Sequence, residues 1–290
     1  MEVKSHTFLG AGEDYEGAKA VLVGAGLDVT VCFRPGTREG PYAIRHLSQC
    51  LEEYSLDLEG DLRQVPFCDL GDIELPLGHV ESALEAIEKV VSRLVEEGKL
   101  PILLGGEHLV SLPAIKAVYR FYPDLMVLHL DAHADLRDEY LGTPLSHATV
   151  MRRVAEILGP GRVFQLGIRS ADREELDFAR SWTRLYRHEV FRPFQTVRPE
   201  LENKPVYLTL DIDVVDPAFA PGVGTPEPNG ITPAELLKTI HALMGLRLVG
   251  ADVVEVNPAF DRAGLAPLLA AKVIRELLII WARGEGKTGV

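Results

Sequence analysis

Three side chains able to bind a divalent cation follow an apolar run in Leu128-His129-Leu130-Asp131-Ala132-His133-Ala134-Asp135. Side chains two apart in an extended segment point the same way, so the spacing predicts that Asp131, His133 and Asp135 converge on one ion or one pair of ions. Carboxylate oxygen mixed with imidazole nitrogen suits a borderline divalent metal such as Mn²⁺. Zinc more often recruits thiolates, and no cysteine lies nearby. A loop cap after a core strand would use the same residues, and one short motif is not a site.

Further ligand types stand in equivalent places. His108 follows the apolar run 100–104 through Gly105-Gly106-Glu107, Asp211 and Asp213 follow 206–210, and Glu255 follows 248–254. In parallel α/β sheets ligands bind beyond the carboxyl ends of the strands. Four segments delivering such groups to one edge exceed what capping requires. His108, Asp131, His133, Asp135, Asp211 and Asp213 are too many for one ion that must also admit substrate. Two ions sharing bridging carboxylates can use them, and four crowded carboxylates need that positive charge. Paired divalent ions lower the pKa of water between them, which points to a hydrolase.

These residues have to be held by strands. Apolar runs at 18–24, 65–70, 100–104, 125–130, 163–168, 206–210 and 248–254 predict strands buried on both faces. Helices are predicted at 41–54, 109–121, 172–182 and 232–244, with a long amphipathic one carrying Val80, Leu84, Ile87, Val91 and Leu94 at helical spacing. Pro41 and Pro233 suit first helical turns, Thr232 suits an N-cap, and Gly105-Gly106 suits a tight turn. The alternation predicts an α/β fold: one three-layer α/β/α domain over 1–290 with a mostly parallel sheet and the metal site at the carboxyl edge. Neither a repeat nor a linker interrupts it.

Composition narrows the partners. The 290 residues are 47% hydrophobic, enough for a packed core, and carry a formal charge of −13. That charge argues against nucleic acid and anionic membranes and favours a small cationic ligand. Cys32, Cys50 and Cys68 are odd in number and lack metal-type spacing, which predicts small apolar fillers in a reducing cytoplasm. No apolar leader is visible at the start. The segment 265–282 is broken by Lys272, Arg275 and Glu276, so it reads as a docking helix and not a membrane span.

The motifs Gly105-Gly106-Glu107-His108, Asp131-Ala132-His133-Ala134-Asp135, Asp211-Ile212-Asp213-Val214-Val215-Asp216-Pro217 and Ala220-Pro221-Gly222-Val223-Gly224-Thr225-Pro226-Glu227, in that order, closely resemble those of the ureohydrolases, the arginase and agmatinase group. The resemblance runs from about Ala18 to Arg283. It implies two Mn²⁺ per subunit, one held by His108, Asp131, Asp135 and Asp211 and the other by His133, Asp131, Asp211 and Asp213. It also implies a trimeric or hexameric homo-oligomer. Asp135 would move a proton from the nucleophile to the leaving nitrogen. Glu255, in Asp252-Val253-Val254-Glu255-Val256-Asn257-Pro258, would hold the guanidinium, and His147 matches the family's proton-shuttling histidine. His6, His46, His79, His129, His188 and His241 are unassigned, His129 being expected in the core or behind the ligands. Glu107, Asp216, Thr225 and Glu227 are expected to shape the site without touching substrate.

The loop Phe33-Arg34-Pro35-Gly36-Thr37-Arg38-Glu39-Gly40-Pro41 and the segment Leu51-Glu52-Glu53-Tyr54-Ser55 look most like bacterial agmatinases, which implies cleavage of agmatine to putrescine and urea in polyamine biosynthesis. Val223 stands where the family commonly has threonine, and Asn229 where it has glycine. Arg137, two after Asp135, could clamp a carboxylate, which keeps guanidinobutyrate and arginine open, as well as aminopropylagmatine. Tail contacts are expected between Arg137 and His147 and at 169–174. Two other classes remain: a non-catalytic regulatory subunit of the same fold, and a single-zinc amide hydrolase of the deacetylase architecture.

Overall fold

The computed structural model describes residues 7–12 and 14–285, so His6 lies outside the described residues. Among the described residues the strands are β1 (Ala20–Ala25), β2 (Tyr54–Ser55), β3 (Gly60–Asp61), β4 (Phe67–Asp72), β5 (Leu100–Gly105), β6 (Met126–Leu130), β7 (Val163–Ile168), β8 (Thr183–Arg187), β9 (Pro205–Asp211) and β10 (Arg247–Val254). The helices are α1 (Gly40–Ser48), α2 (Val80–Glu96), α3 (Ser111–Phe121), α4 (Val150–Leu158), α5 (Arg173–Trp182), α6 (Phe191–Leu201), α7 (Pro233–His241) and α8 (Leu265–Glu285).

Eight strands form one sheet in the order β4-β1-β5-β10-β9-β6-β7-β8, and every pairing in it is parallel. Helices cover both faces because successive strand residues point to opposite sides. Leu22, Ile102 and Leu208 pack with α1, α6, α7 and α8. Val21, Leu103 and Tyr207 pack with α2, α3, α4 and α5. Helix starts follow local chemistry: Thr232 Oγ1 accepts from the Glu235 amide, and Asp172 and Glu175 cap each other's amides.

The register places the chemistry. Val253 pairs with Leu104, Val254 with Asp211, and Leu210 with Leu130. Four adjacent central strands therefore end at one level, where Asp131, Asp211, Glu255 and the 106–108 turn emerge. The chain leaves β5 and re-enters the sheet three places away as β6, and β9 and β10 later fill the interval.

Several expectations change. The helix predicted to Tyr54 ends at Ser48, whose hydroxyl donates back to the Arg45 carbonyl at 2.7 Å. Beyond it Ser55 is drawn away to donate to the buried Glu276 carboxylate at 2.6 Å, and Tyr54–Ser55 pairs with β3. Elements β8, α4 and α6 went unread. β8 is a half-exposed edge strand without an apolar run, and α6 carries Pro193 and Pro199.

Gly105 and Gly106 do not supply positive φ. They allow close approach: a Cβ on Gly106 would lie 2.0 Å from the Leu27 carbonyl oxygen, and one on Gly105 2.5 Å from Val254 Cγ1. The Gly106 carbonyl accepts from the Glu255 amide at 2.9 Å, so that approach also sets the site edge. Gly106→Ala should therefore destabilise the fold by about 1–3 kcal/mol, the usual cost of overpacking. Urea unfolding measures this, and an unchanged midpoint would contradict the steric argument.

Candidate metal centre

Strand β6 stops at Leu130, so Asp131, His133 and Asp135 do not share a face by extended alternation. Asp135 adopts φ 54°, and His133 forms an isolated bridge with Ser170. The fold still gathers them, as two neighbouring groups. His108, His129, Asp131 and Asp135 offer ligand atoms within 4.8 Å of one another, and Asp131, His133 and Asp213 do the same. Asp131 belongs to both. Asp211 is in neither, but its Oδ2 lies 3.5 Å from His108 Nδ1.

The contacts are those of a cation site. His108 Nδ1 stands 3.0 Å from Asp131 Oδ2 and 3.2 Å from Asp135 Oδ2, and His133 Nδ1 stands 2.9 Å from Asp213 Oδ2. Yet the buried His108 Nδ1 and Asp213 Oδ2 have no hydrogen-bond partner of acceptable geometry. Lone pairs aimed at one another from several sides suit a divalent ion between them, so the residues fit the expected metal.

Titration behaviour agrees. Burial, then the Asp131 charge, pushes Asp135 up to about 7; burial, then the charges of Asp213 and Asp131, raises Asp211 well above the ordinary carboxylate range. Burial alone would lower His108 and His133, but the surrounding carboxylates lift both well above the usual imidazole value. The cluster calls for positive charge.

His129, left unassigned from sequence, lies within ligand distance, but its hydrogen bonds give it another task. Gln165 Oε1 accepts from the Thr183 hydroxyl, and Gln165 Nε2 donates to the Ala134 carbonyl and to His129 Nδ1. His129 Nε2–H is then left to donate to Asp131 Oδ2 at 2.7 Å, orienting the shared carboxylate. His108 is held likewise. His108 Nε2 lies 2.9 Å from the Thr209 hydroxyl oxygen, which also meets the Ser111 hydroxyl at 3.2 Å, so this edge of the ring is engaged behind the site and Nδ1 faces the carboxylates.

These supports form a row. Asp252, Thr209, His129 and Gln165 are paired neighbours across β10, β9, β6 and β7, and all are fully buried. Sequence reasoning missed Thr209, Gln165 and the support role of Asp252. The available signal was a polar residue inside an otherwise apolar strand, two before an aspartate that directly follows β6 and that ends β9.

A cavity of about 300 Å³ opens onto the cluster and is lined by His108, His133, Asp135 and Asp211, with Glu255 and His147 also facing it. Glu255 has φ 64°, strain that persists because its amide and its Oε1 are both anchored, the latter by the His108 amide at 2.8 Å. Burial pushes Glu255 up to about 8 against that amide, so a cation brought alongside favours its ionised form. His147 starts a short 3-10 turn capped by Ser146 and is pushed down to about 4 by burial and by the charges of His133 and His108.

Arg137 is already paired, with Asp172 Oδ2 at 2.9 Å and Glu175 Oε2 at 3.8 Å. Tyr140, Ser170 and Ala171 line the same mouth, within the segments expected to meet a substrate tail. Cys68 is buried as expected, but Cys32 and Cys50 are exposed, and Cys32 lines the cavity.

The model of the arginase family matches residues 18–280. The chain belongs to the arginase family. An agmatinase of Bacillus anthracis is 47% identical over 279 residues, covering 95% of this chain and 96% of that protein. A guanidinobutyrase of Pseudomonas aeruginosa is 35% identical, covering 91% and 82%. The crystal structure of an agmatine ureohydrolase of Thermoplasma volcanium superposes with a TM-score of 0.89 at 34% identity, covering 99% of this chain and 98% of that one.

Both departures from the arginase-family pattern have a local reason. Val223 is buried and bridges Val256, so an apolar side chain fits. Asn229 has φ 69°, the left-handed region that asparagine tolerates better than most residues. Arg169 fastens the same loop through the carbonyls of Asp213, Val214 and Glu227.

Thr209→Val keeps the volume and removes the hydroxyl behind His108. Divalent-ion affinity should fall about 10- to 100-fold with the fold retained. Titration calorimetry with Mn²⁺ and far-UV circular dichroism report the two quantities, and unaltered affinity would remove Thr209 from the support row.

Proposed function

We propose that this arginase-family enzyme hydrolyses agmatine to putrescine and urea, using two Mn²⁺ per subunit. The single observation that carries the choice of agmatine over guanidino acids is the state of Arg137. Its guanidinium is held by Asp172 and Glu175, so among the described residues the mouth of the cavity offers no unpaired cation for a carboxylate and keeps surplus negative charge for an ammonium tail. The agmatinase relatives support the same reading.

In this reading His108, Asp131, Asp135 and Asp211 would hold one ion, and His133, Asp131, Asp211 and Asp213 the other. When bound, such a pair makes water nucleophilic at neutral pH and offsets the carboxylate charge. A guanidinium carbon is a poor electrophile because three nitrogens share the positive charge, so position matters. Glu255, fixed from two sides, pairs with the guanidinium nitrogens and holds the carbon over the cluster. Asp135 takes a proton from the attacking water and delivers it to the departing nitrogen. His147, at the cavity wall, exchanges that proton with solvent and with the product amine.

No described helix is long and apolar enough to cross a membrane. A cytoplasmic homo-oligomer, trimeric or hexameric, in polyamine biosynthesis completes the reading.

With Mn²⁺ added, urea release should be fastest from agmatine among agmatine, arginine, guanidinobutyrate and aminopropylagmatine. A preference for guanidinobutyrate would overturn the Arg137 argument. Asp135→Asn should lower kcat for agmatine at least about 100-fold while the chain stays folded, and near-parental urea production would refute the proton-transfer role. Mn²⁺ at a hundred times its Kd should stabilise the fold by about 2.7 kcal/mol, and chelation should reverse it. Thermal unfolding with and without a chelator tests that.

A further inference from the structure

The loop after β1 crosses the cavity wall and is fastened to the segment that precedes His108. Glu107 is fully buried, and its Oε2 accepts the amides of Val29 at 2.9 Å and Thr30 at 2.7 Å. Its Oε1 accepts the Thr30 hydroxyl at 2.9 Å. The same hydroxyl oxygen accepts the His147 amide at 3.1 Å and lies 3.3 Å from His147 Nδ1. Burial raises Glu107 above the ordinary carboxylate value, and the three donors that converge on it oppose that shift and favour the ionised form.

Hydrogen-bond accounting at Thr30 then leaves one arrangement. A hydroxyl has one proton and two lone pairs. The proton goes to Glu107, which as a carboxylate only accepts. One lone pair takes the His147 amide, which only donates. The remaining lone pair faces Nδ1, which must therefore carry hydrogen. Nε2 is left unprotonated in the neutral ring, and it points toward Cys32 Sγ at 3.6 Å on the cavity wall. Tyr140 packs edge-on against the ring, with centroids 5.5 Å apart and planes at 83°.

We propose that Thr30 is a positioning residue for His147, its hydroxyl relaying the demand of Glu107 so that the ring holds its proton at Nδ1 and presents Nε2 to the substrate cavity. The proposal rests on the reading of His147 as the proton-exchanging group. It gives Glu107 a definite task, transmitted through Thr30 without contact with substrate. Without the hydroxyl, Nδ1 loses its acceptor and the two neutral tautomers approach equal weight, while the Val29 and Thr30 amides still anchor the loop to Glu107.

Thr30→Val, Thr30→Ser and His147→Ala, each loaded with Mn²⁺, decide the matter, with agmatine as substrate and ¹⁵N-histidine NMR as a readout independent of turnover. In the parent, His147 should show a protonated Nδ1 and an unprotonated Nε2. Thr30→Val should shift both resonances toward a tautomer mixture and lower kcat about 10- to 100-fold, with KM changed less than about 3-fold and Mn²⁺ content unchanged. Thr30→Ser should restore the parental spectrum and most of kcat. A parental spectrum in Thr30→Val would overturn the proposal, as would a parental kcat. If instead His147→Ala turned over agmatine at the parental rate, the reading of His147 would fall and take the proposal with it, an outcome told apart by that variant alone.

Discussion

Carboxylates buried within reach of one another are the constraint on which this structure turns. Asp131, Asp135, Asp211 and Asp213 meet at one edge of the sheet, in a setting where isolated negative charge is costly. Amides that hold the oxygens in place offset part of that cost, and a cation among them, to which the inward-facing histidine nitrogens could also bind, would offset more. The Asp211 carboxylate takes the Asp213 amide, and Asp131 takes the His133 amide. The cluster is suited to a cation, and the remainder of the fold keeps its members from moving apart.

The sheet supplies that rigidity in two tiers. The upper tier is the shared level at which β5, β10, β9 and β6 end, fixed by the pairings of Val253, Val254 and Leu210. The lower tier is the row Asp252, Thr209, His129 and Gln165, whose hydrogen bonds settle which ring nitrogen of each buried histidine faces the carboxylates. Backbone strain at Asp135 and Glu255 is tolerated because both residues lie where these tiers over-determine the chain. At the cavity mouth, Arg137 is paired with Asp172.

Much of this was legible in the amino-acid sequence. Strands apolar on both faces, ligand types at the ends of four of them and a charge of −13 lead to a parallel sheet, a carboxyl-edge metal site and a small cationic substrate. His108, Asp131, His133, Asp135 and Asp213 fall into the two ligand-capable groups, and Asp211 approaches through His108. The parallel sheet and the meeting of these groups at its carboxyl edge are what the structure shows, because periodicity and residue chemistry are local. The same locality explains the failures: the helix after Pro41 stops early since Ser55 answers to Glu276, which lies on α8. Asp131, His133 and Asp135 do come together, but not by the alternation argument, because the strand has already ended at Leu130.

What the sequence determined alone was the set of groups and the edge on which they stand, since both follow from residue type and position along each strand. What only the tertiary structure decided was how those groups divide and which atoms they present. Asp131 is shared, His129 supports a ligand, Arg137 is occupied, and Thr30 comes to stand between Glu107 and His147 from far along the chain. Each of those outcomes depends on hydrogen-bond partners brought together by strand register and loop docking, and no spacing within one segment encodes them.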